Sequence, residues 1–317
     1  MKIKEEKKFP VSNRSTPIRK RILQSYELYL FLLPAILLLI IFNYLPMYGI
    51  LIAFKDFKPS LGILDSPWVG FKYFERFFSM SMFHVILKNT LVISFYTLIA
   101  GFPLPILLAL TLNSSPAGRL KKIVQTITYA PHFISIVIVV GMINVFFAPS
   151  TGIVRNILHS TGLLNGNLEI LMNAHSFPHL YVWSGVWQNI GWDSIIYLSA
   201  LAGVDPSYHE AAVMDGATKF QRVRHIDFPS ILPTIVILLI LNSGSIMNVG
   251  FEKVFLLQNS FNLSTSEVIN TYVYKIGIKQ AQYSLSAAIG LFNSIINFFM
   301  ILVVNKISSK LGQDSLW

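Results

Sequence analysis

Side chains that can bind a polar solute recur inside the most apolar stretches of this sequence. Stretch 179–203 carries two amides and a carboxylate beside three indoles, and stretches 230–250 and 285–305 add further amides. Asn293 and Asn297 are four residues apart, so a helix would place both on one face. We predict that these groups line a passage for a polar solute; they are Trp183, Trp187, Gln188, Asn189, Trp192, Asp193, Asn242, Ser243, Asn248, Asn293 and Asn297.

Two structural roles compete with this interpretation. Small polar residues commonly form hydrogen bonds between packed helices, and tryptophans commonly anchor helices at a membrane surface. Asp193 is the residue least suited to a purely structural role, because an ionisable group among apolar residues is costly unless it has a function or a partner.

Catalytic arrangements are poorly supported. His209 and Glu210 begin like the zinc-protease sequence H-E-x-x-H, but Val213 occupies the position of the second histidine. Asp193 has no second carboxylate nearby in sequence, and Ser243 has no evident base. The seven histidines are scattered without metal-ligand spacing, and there is no cysteine. We therefore expect no enzymatic activity and no metal or other cofactor bound by this chain.

The composition predicts an integral membrane protein. Hydrophobic residues make up 53% of the 317 residues and charged residues only 13%, about half the charge of an ordinary soluble domain. The apolar residues form blocks of about 20, the length that crosses a bilayer as a helix. The net charge of +10 would suit nucleic acid only on a soluble domain with a basic face, which this composition does not predict.

Six membrane-spanning helices are predicted, and we expect one all-α membrane domain over 26–307. Its flanks are a basic N-terminal tail, 1–25, and a C-terminal tail, 308–317. The weakest span is the fourth, because it contains the polar residues described above. The predicted spans are Leu28–Phe54, His84–Leu112, Ile123–Phe147, His179–Gly203, Ser230–Gly250 and Leu285–Asn305.

The distribution of basic residues predicts the orientation. Of the 25 Lys and Arg residues, 16 lie in segments 1–27, 113–122, 204–229 and 306–317, and 8 lie in the three other connections. Basic residues collect in cytoplasmic loops. Both termini and the loop 204–229 are therefore predicted to be cytoplasmic.

The loop 204–229 has the pattern of two short helices joined by a turn. Pro206 suits a first helical turn, and Ser207 with Glu210 has capping-box spacing. Gly216 provides a left-handed stop. Thr218 with Gln221 repeats the capping-box spacing before the second helix. Caps fix the shape of a loop but do not give it a purpose, so an ordinary surface loop remains an alternative at this point.

This loop resembles the EAA loop of the permeases of ABC importers. The resemblance rests on Glu210-Ala211-Ala212, then Gly216, then Ile226-x-Phe228-Pro229, with Phe228 where the family has Leu. It implies that the loop docks on a cytoplasmic ATPase subunit. The implied docking residues are Glu210, Ala211, Ala212, Asp215 and Gly216.

Further stretches resemble the carbohydrate branch of that family, from about Tyr26 onward. They are Trp68-Val-Gly-Phe-Lys-Tyr-Phe, Asn89-Thr90, Tyr129-Ala-Pro-His-Phe-Ile-Ser, Gly185-Val-Trp-Gln-Asn-Ile-Gly-Trp and Leu316-Trp317. The resemblance implies the type I ABC importer permease fold in the bacterial plasma membrane and import of sugars or oligosaccharides. It also implies a second, homologous permease, two cytoplasmic ATPase subunits that bind ATP and Mg²⁺, and an extracytoplasmic sugar-binding protein.

Two other kinds of transporter are alternatives to this interpretation. A chain that hydrolyses ATP itself would need a phosphate-binding G-x-x-x-x-G-K-[ST] loop, and the sequence contains no Gly-Lys dipeptide. An ion-coupled secondary transporter would be expected to have buried ionisable groups and inverted repeats. Asp193 is the one clear candidate for such a group, so this alternative is weaker but remains open on the sequence.

Overall fold

The computed structural model describes residues 26–116, 118–163 and 166–310, so the predicted tail 1–25 and most of the tail 308–317 lie outside the described residues. The chain divides into two units, Met1–Leu51 and Ile52–Trp317. Helix α1 begins at Tyr26 in the first unit, and its helical run continues to Phe54, three residues into the second. A π-helical turn at Ile40–Tyr44 interrupts it ahead of Pro46, which has no N–H to donate to the preceding turn.

The second unit is a bundle of helices, and its described residues contain no strand beyond an isolated bridge between Lys55 and Trp68. Single helical turns lie at Gly62–Asp65 and Leu263–Ser266. The longer helices are α2 (Lys72–Ser79), α3 (Ser81–Ser114), α4 (Arg119–Phe133), α5 (Ile136–Phe146), α6 (Ile153–Ser160), α7 (Ser176–Ala202), α8 (Pro206–Met214), α9 (Lys219–Ser243), α10 (Phe251–Leu257), α11 (Ile269–Tyr274) and α12 (Tyr283–Lys310).

Four of the described helices, α1, α3, α9 and α12, are long and apolar enough to cross a bilayer, and α4 with α5 is a fifth if the bent pair counts as one span. Helix α7 has 27 residues but is not apolar enough to be counted with them, because it carries the polar residues that made the fourth predicted span the weakest. The predicted all-α membrane fold is confirmed, and the number of six crossings stays a prediction.

The third predicted span, Ile123–Phe147, is wrong as a single helix. Helices α4 and α5 meet at an angle of 101°. Pro131 lies in the 3₁₀ turn that ends α4, and Ser135 begins α5 by accepting a hydrogen bond from the Ile138 N–H. A proline followed by an N-capping serine is therefore what divides this apolar stretch.

The fifth predicted span, Ser230–Gly250, is too long at its end. Helix α9 stops at Ser243, and residues 244–250 form an irregular linker. The Asn297 side chain in α12 accepts a hydrogen bond of 2.9 Å from the Met247 N–H, and therefore satisfies a backbone donor that a helix would have satisfied internally.

Helix α7 passes closest to its neighbours at Gly191. A β-carbon at this position would lie 2.2 Å from the Thr128 carbonyl oxygen in α4, so only glycine allows the two backbones to come this near. On the other side, Tyr197 and Leu201 of α7 pack with Leu110 of α3 and Ile231 of α9 in one buried cluster. These contacts fix which face of α7 remains uncovered.

Candidate functional site

The uncovered face of α7 forms one wall of a cavity of about 780 Å³. The other walls come from α3, from the first residue of α5, from the end of α9, and from the linker and the start of α10. Five of the eight predicted pathway residues outside the tryptophans line it, from three different segments; they are Gln188, Asn189, Asp193, Asn242 and Asn248.

The amides of α7 are held in defined positions. Gln188 is buried and donates a hydrogen bond of 2.8 Å to the Ile134 carbonyl, at the bend between α4 and α5. The Asn189 amide oxygen lies 2.9 Å from His132 Nδ1. His132 in turn stacks on Trp192, with ring centroids 4.3 Å apart and an interplanar angle of 3°. The bend that the sequence did not predict therefore fixes two of the predicted site residues.

The tryptophans of α7 do not share one role. Trp192 lines the polar cavity. Trp183 and Trp187 instead line a second, mostly apolar cavity of about 520 Å³ beside α5. Trp183 Nε1 donates a hydrogen bond of 2.8 Å to the Tyr96 hydroxyl, so its polar group has a partner inside the protein. Of the three indoles, one belongs to the proposed passage.

Asn293 and Asn297 share a helical face as predicted, but they do not line the cavity. Both are buried, and their amide nitrogens donate to Asn248 Oδ1 at 2.9 Å and 3.4 Å. The hydrogen bond from Met247 also ends on Asn297. Asn293 and Asn297 therefore hold the linker in place and orient the side chain of Asn248. Asn248, in turn, lines the cavity. Ser243 is buried and bonds to its own helix.

Lys253 is a lining residue that the sequence did not point to. Its Nζ donates a hydrogen bond of 2.8 Å to the Tyr181 carbonyl and lies 4.9 Å from the centre of the Tyr181 ring. The Gly250 N–H donates to the Tyr181 hydroxyl at 3.0 Å, so the linker is clamped to the start of α7. Burial lowers the pKa of Lys253 to about 8. The wall therefore carries an amine that loses its proton more readily than an ordinary lysine, beside the carboxyl groups of Asp193 and Glu252.

The loop between α7 and α9 has the predicted helix–turn–helix form. Helix α8 covers Pro206–Met214, Gly216 has φ of +76°, and Thr218 and Gln221 form the predicted capping box. The predicted cap at Ser207 is wrong. Asp205 is the N-cap residue, and its carboxylate accepts a 2.9 Å hydrogen bond from the Ser207 N–H, because Pro206 occupies the first helical position.

The predicted docking residues lie together on the outside of this loop. Glu210, Ala211, Asp215 and Gly216 are exposed, and Ala212 is half-buried. Large apolar side chains flank them: Met214 is 87% exposed and Phe220 71%. This apolar rim was not predicted from the sequence. Met214 and Phe220, two large apolar residues in a hydrophilic loop, could have indicated it.

No group of three His, Asp or Glu side chains that could hold a metal ion occurs in the described ranges. The site can hydrogen-bond a polar solute through amides, carboxyl groups and an amine, and it offers an aromatic stack as a flat apolar face.

Known proteins are similar to this chain over most of its length. The profile of the family described as "Binding-protein-dependent transport system inner membrane component" matches residues 101–313. Protein LplB of Bacillus subtilis (strain 168) is 44% identical over 290 residues, which cover 92% of this chain and 91% of LplB. The polygalacturonan/rhamnogalacturonan transport system permease protein YteP of the same organism is 41% identical and covers 98% and 95%.

Solved structures give the same result for the fold. A crystal structure of a bacterial ABC transporter involved in the import of the acidic polysaccharide alginate contains a chain that is 40% identical, with a TM-score of 0.85; the match covers 92% of this chain and 98% of that one. A crystal structure of a bacterial alginate ABC transporter in complex with an alginate pentasaccharide-bound periplasmic protein also contains a similar chain. That chain is 39% identical, with a TM-score of 0.86, and the match covers 94% of this chain and 99% of that one.

These similarities confirm the resemblance that the EAA-like loop suggested, and they decide against an ion-coupled secondary transporter. The profile spans more than half of the chain, and relatives above 40% identity cover more than nine-tenths of it. The chain belongs to the family of inner-membrane components of binding-protein-dependent transport systems, and is a multi-pass permease subunit of an ABC importer.

Proposed function

We propose that this permease forms one half of the passage through which an importer moves oligosaccharides, and that its polar cavity contacts the sugar. The observation that carries the proposal is the set of five polar side chains from three segments on one cavity, between helices of which several are apolar enough to cross a bilayer. Hydrogen-bonding groups with a flat aromatic face are the surface that sugar hydroxyls and ring faces require. The relatives YteP and the alginate importer act on polysaccharides, as their descriptions state.

The proposed driving force comes from a partner. This chain binds no cofactor in the proposed assembly, and ATP with Mg²⁺ is bound and hydrolysed by two cytoplasmic ATPase subunits. A second, homologous permease completes the membrane passage, and an extracytoplasmic binding protein delivers the sugar. Both termini and the loop 204–229 lie in the cytoplasm, as the distribution of basic residues favours. In this arrangement the exposed face of α8 docks on the ATPase.

Replacement of Asn189 and Asp193 by Leu tests the cavity. We expect uptake of oligogalacturonides or alginate oligosaccharides by proteoliposomes of the complete importer to fall roughly tenfold or more, because each lost hydrogen bond to a charged or amide group removes about 1–3 kcal/mol. The matched control is Ser199→Ala on the same helix, because Ser199 is outside the cavity and bonds only to the Ile195 carbonyl.

Two outcomes would contradict the proposal. Uptake that is unchanged in the Asn189→Leu, Asp193→Leu variant would exclude these residues from the passage. Uptake that a protonophore stops but orthovanadate does not would exclude the ATP-driven partner, since vanadate traps ABC ATPases and has no target in an ion-coupled carrier.

A further inference from the structure

The carboxylate of Asp227 is buried where the loop that carries α8 returns to the membrane helices. Its side chain is 3% exposed, and it lies in the π-helical turn Val223–Asp227 within α9. No Lys or Arg nitrogen lies within 4 Å of it in the part of the chain that the structure describes. A buried carboxylate is costly unless hydrogen bonds satisfy it. The groups that contact Asp227 therefore help to fix the positions of the helices that carry them.

Two side chains from two other elements satisfy it. Asn113 Nδ2, near the end of α3, donates to Asp227 Oδ1 at 3.1 Å. His209 Nε2, on α8, lies 3.3 Å from the same oxygen. His209 directly precedes Glu210, the first residue of the exposed docking face. One carboxylate oxygen thus ties the docking helix to two membrane helices.

Helix α8 has little else to hold it. None of its nine residues is buried, so packing against the bundle does not fix its position. The neighbouring cavity of about 310 Å³ is lined by His209, Asp227 and Arg222, and it leaves room for α8 to move. Arg222 Nε is buried there and has no hydrogen-bond partner among the described residues.

We propose that Asp227 is the positioning residue of a joint, formed with His209 and Asn113, through which a displacement of α8 is transmitted to α9 and α3. The inference rests on the proposed docking of α8 on an ATPase and assigns the residues that pass the movement onward. Displacement of α8 acts on the contact between His209 and Asp227, and α9 and α3 carry that movement to the cavity, whose wall includes residues of both.

The test measures transmission without requiring the identity of the sugar. The chain contains no cysteine, so spin labels can be placed on Leu241→Cys in α9 and Ile295→Cys in α12 without other substitutions. Both side chains are about half exposed. We expect ATP with vanadate to shift the distance between the labels in the assembled importer. In the His209→Ala and Asp227→Ala variants we expect most of that shift to be lost, while the ATPase still co-purifies and hydrolyses ATP.

Three further variants make the result specific. His225→Ala is the matched control, because His225 is an exposed histidine of the same loop whose Nδ1 lies 2.9 Å from the Gln221 carbonyl oxygen, and it should keep the full shift. Asp227→Asn keeps an acceptor oxygen and should restore most of the shift. The double variant His209→Ala, Asp227→Ala should be no worse than the poorer single variant, because both remove the same link.

A wild-type shift in His209→Ala would overturn the joint, and so would additive losses in the double variant. His209→Ala keeps a good helix former on an exposed helix, so this arm remains decisive even if Asp227→Ala does not assemble. The absence of any nucleotide-dependent shift in the wild-type assembly, or of co-purification, would contradict the proposed docking instead. The two failures are therefore distinguishable.

Discussion

Gly216 ends the docking helix in a conformation that most residues avoid. Its φ of +76° lies in the left-handed region, and a β-carbon built there meets no atom within 4 Å. The constraint is therefore one of backbone conformation and not of space. A side chain that tolerates the left-handed region should be accepted, and a β-branched one should not.

We predict that Gly216→Val abolishes uptake by the complete importer, while the protein still inserts in the membrane. Valine in this region costs about 1–2 kcal/mol and would change the path of the chain between α8 and α9. Gly216→Asn is the matched control, since asparagine adopts this conformation readily, and it should retain most of the activity. Equal loss in both variants would show that the absence of a side chain matters more than the left-handed turn.

Asp205 is predicted to make the start of α8 sensitive to acid. The hydrogen bond from the Ser207 N–H holds the pKa of the Asp205 carboxyl below its usual range. A depressed pKa means that the stabilising contact is fully present above the usual pKa of an aspartate and is lost as the pH falls through the lowered value. Over that acidic range, the protection of the amides at 207–209 against hydrogen exchange, relative to the intrinsic exchange rate at the same pH, should fall.

Two substitutions of Asp205 distinguish the effect of its charge from the effect of its capping hydrogen bond. Asp205→Ala should exchange fast at neutral pH, whereas Asp205→Asn should stay protected and lose the pH dependence, because asparagine also caps helices well. Protection that is the same in all three proteins would show that the cap does not hold this turn.

At the scale of elements, the polar cavity depends on how closely α7 approaches α4. Gly191 is the contact point, and the residues beside it, Asn189, Trp192 and Asp193, line the cavity. A side chain at position 191 would separate the two helices and move all three groups. The geometry of the site is therefore set by a residue that has no side chain to contribute.

We predict that Gly191→Ala lowers the melting temperature of the purified importer and its uptake together. Its β-carbon would lie 2.2 Å from the Thr128 carbonyl oxygen, and backbone atoms cannot yield as a flexible side chain can. Gly290→Ala in α12 is the control, because a β-carbon there meets nothing within 4 Å, and the change to alanine favours the helix. Unchanged melting and uptake in Gly191→Ala would contradict the close contact.

The apolar helices and the helix–turn–helix form of the loop 204–229 could be predicted because their signals are local. Blocks of apolar residues, Gly216 and the pair Thr218–Gln221 each act within a few residues of the sequence. The bend between α4 and α5 had a local signal as well, in Pro131 and Ser135, but the apolar residues on both sides of it conceal the break. The early end of α9 depends on a hydrogen bond to Asn297, which is 50 residues away in the sequence, and it could therefore not be predicted from the residues near Ser243.

The candidate site was predicted in part for the same reason. Asn242 and Asn248 could be proposed from their polarity alone, and the structure places them on the cavity. Asn293 has the same polarity, yet it faces the linker, and only the packing of α12 decides this. Lys253 and the triad around Asp227 were missed because each contact joins residues from separate elements.

At the scale of the whole molecule, one helix, α7, carries the proposed sugar contacts along its length and leads at its end into the loop proposed to dock on the ATPase. The cavity lies along α7 from Tyr181 to Tyr197, and the docking loop begins immediately after its last residue, Ala202. A movement applied to α8 therefore acts close to the wall that contacts the solute. The central claim is that this loop faces the cytoplasm and docks on a separate ATPase.

Labelling of Met214→Cys tests that claim most directly, because position 214 is 87% exposed and the natural chain contains no cysteine. A membrane-impermeant maleimide should label the variant in inverted membrane vesicles stripped of the ATPase, should label it little when the ATPase is bound, and should leave it unlabelled in intact cells. Labelling in intact cells would place the loop outside the cell and contradict the account.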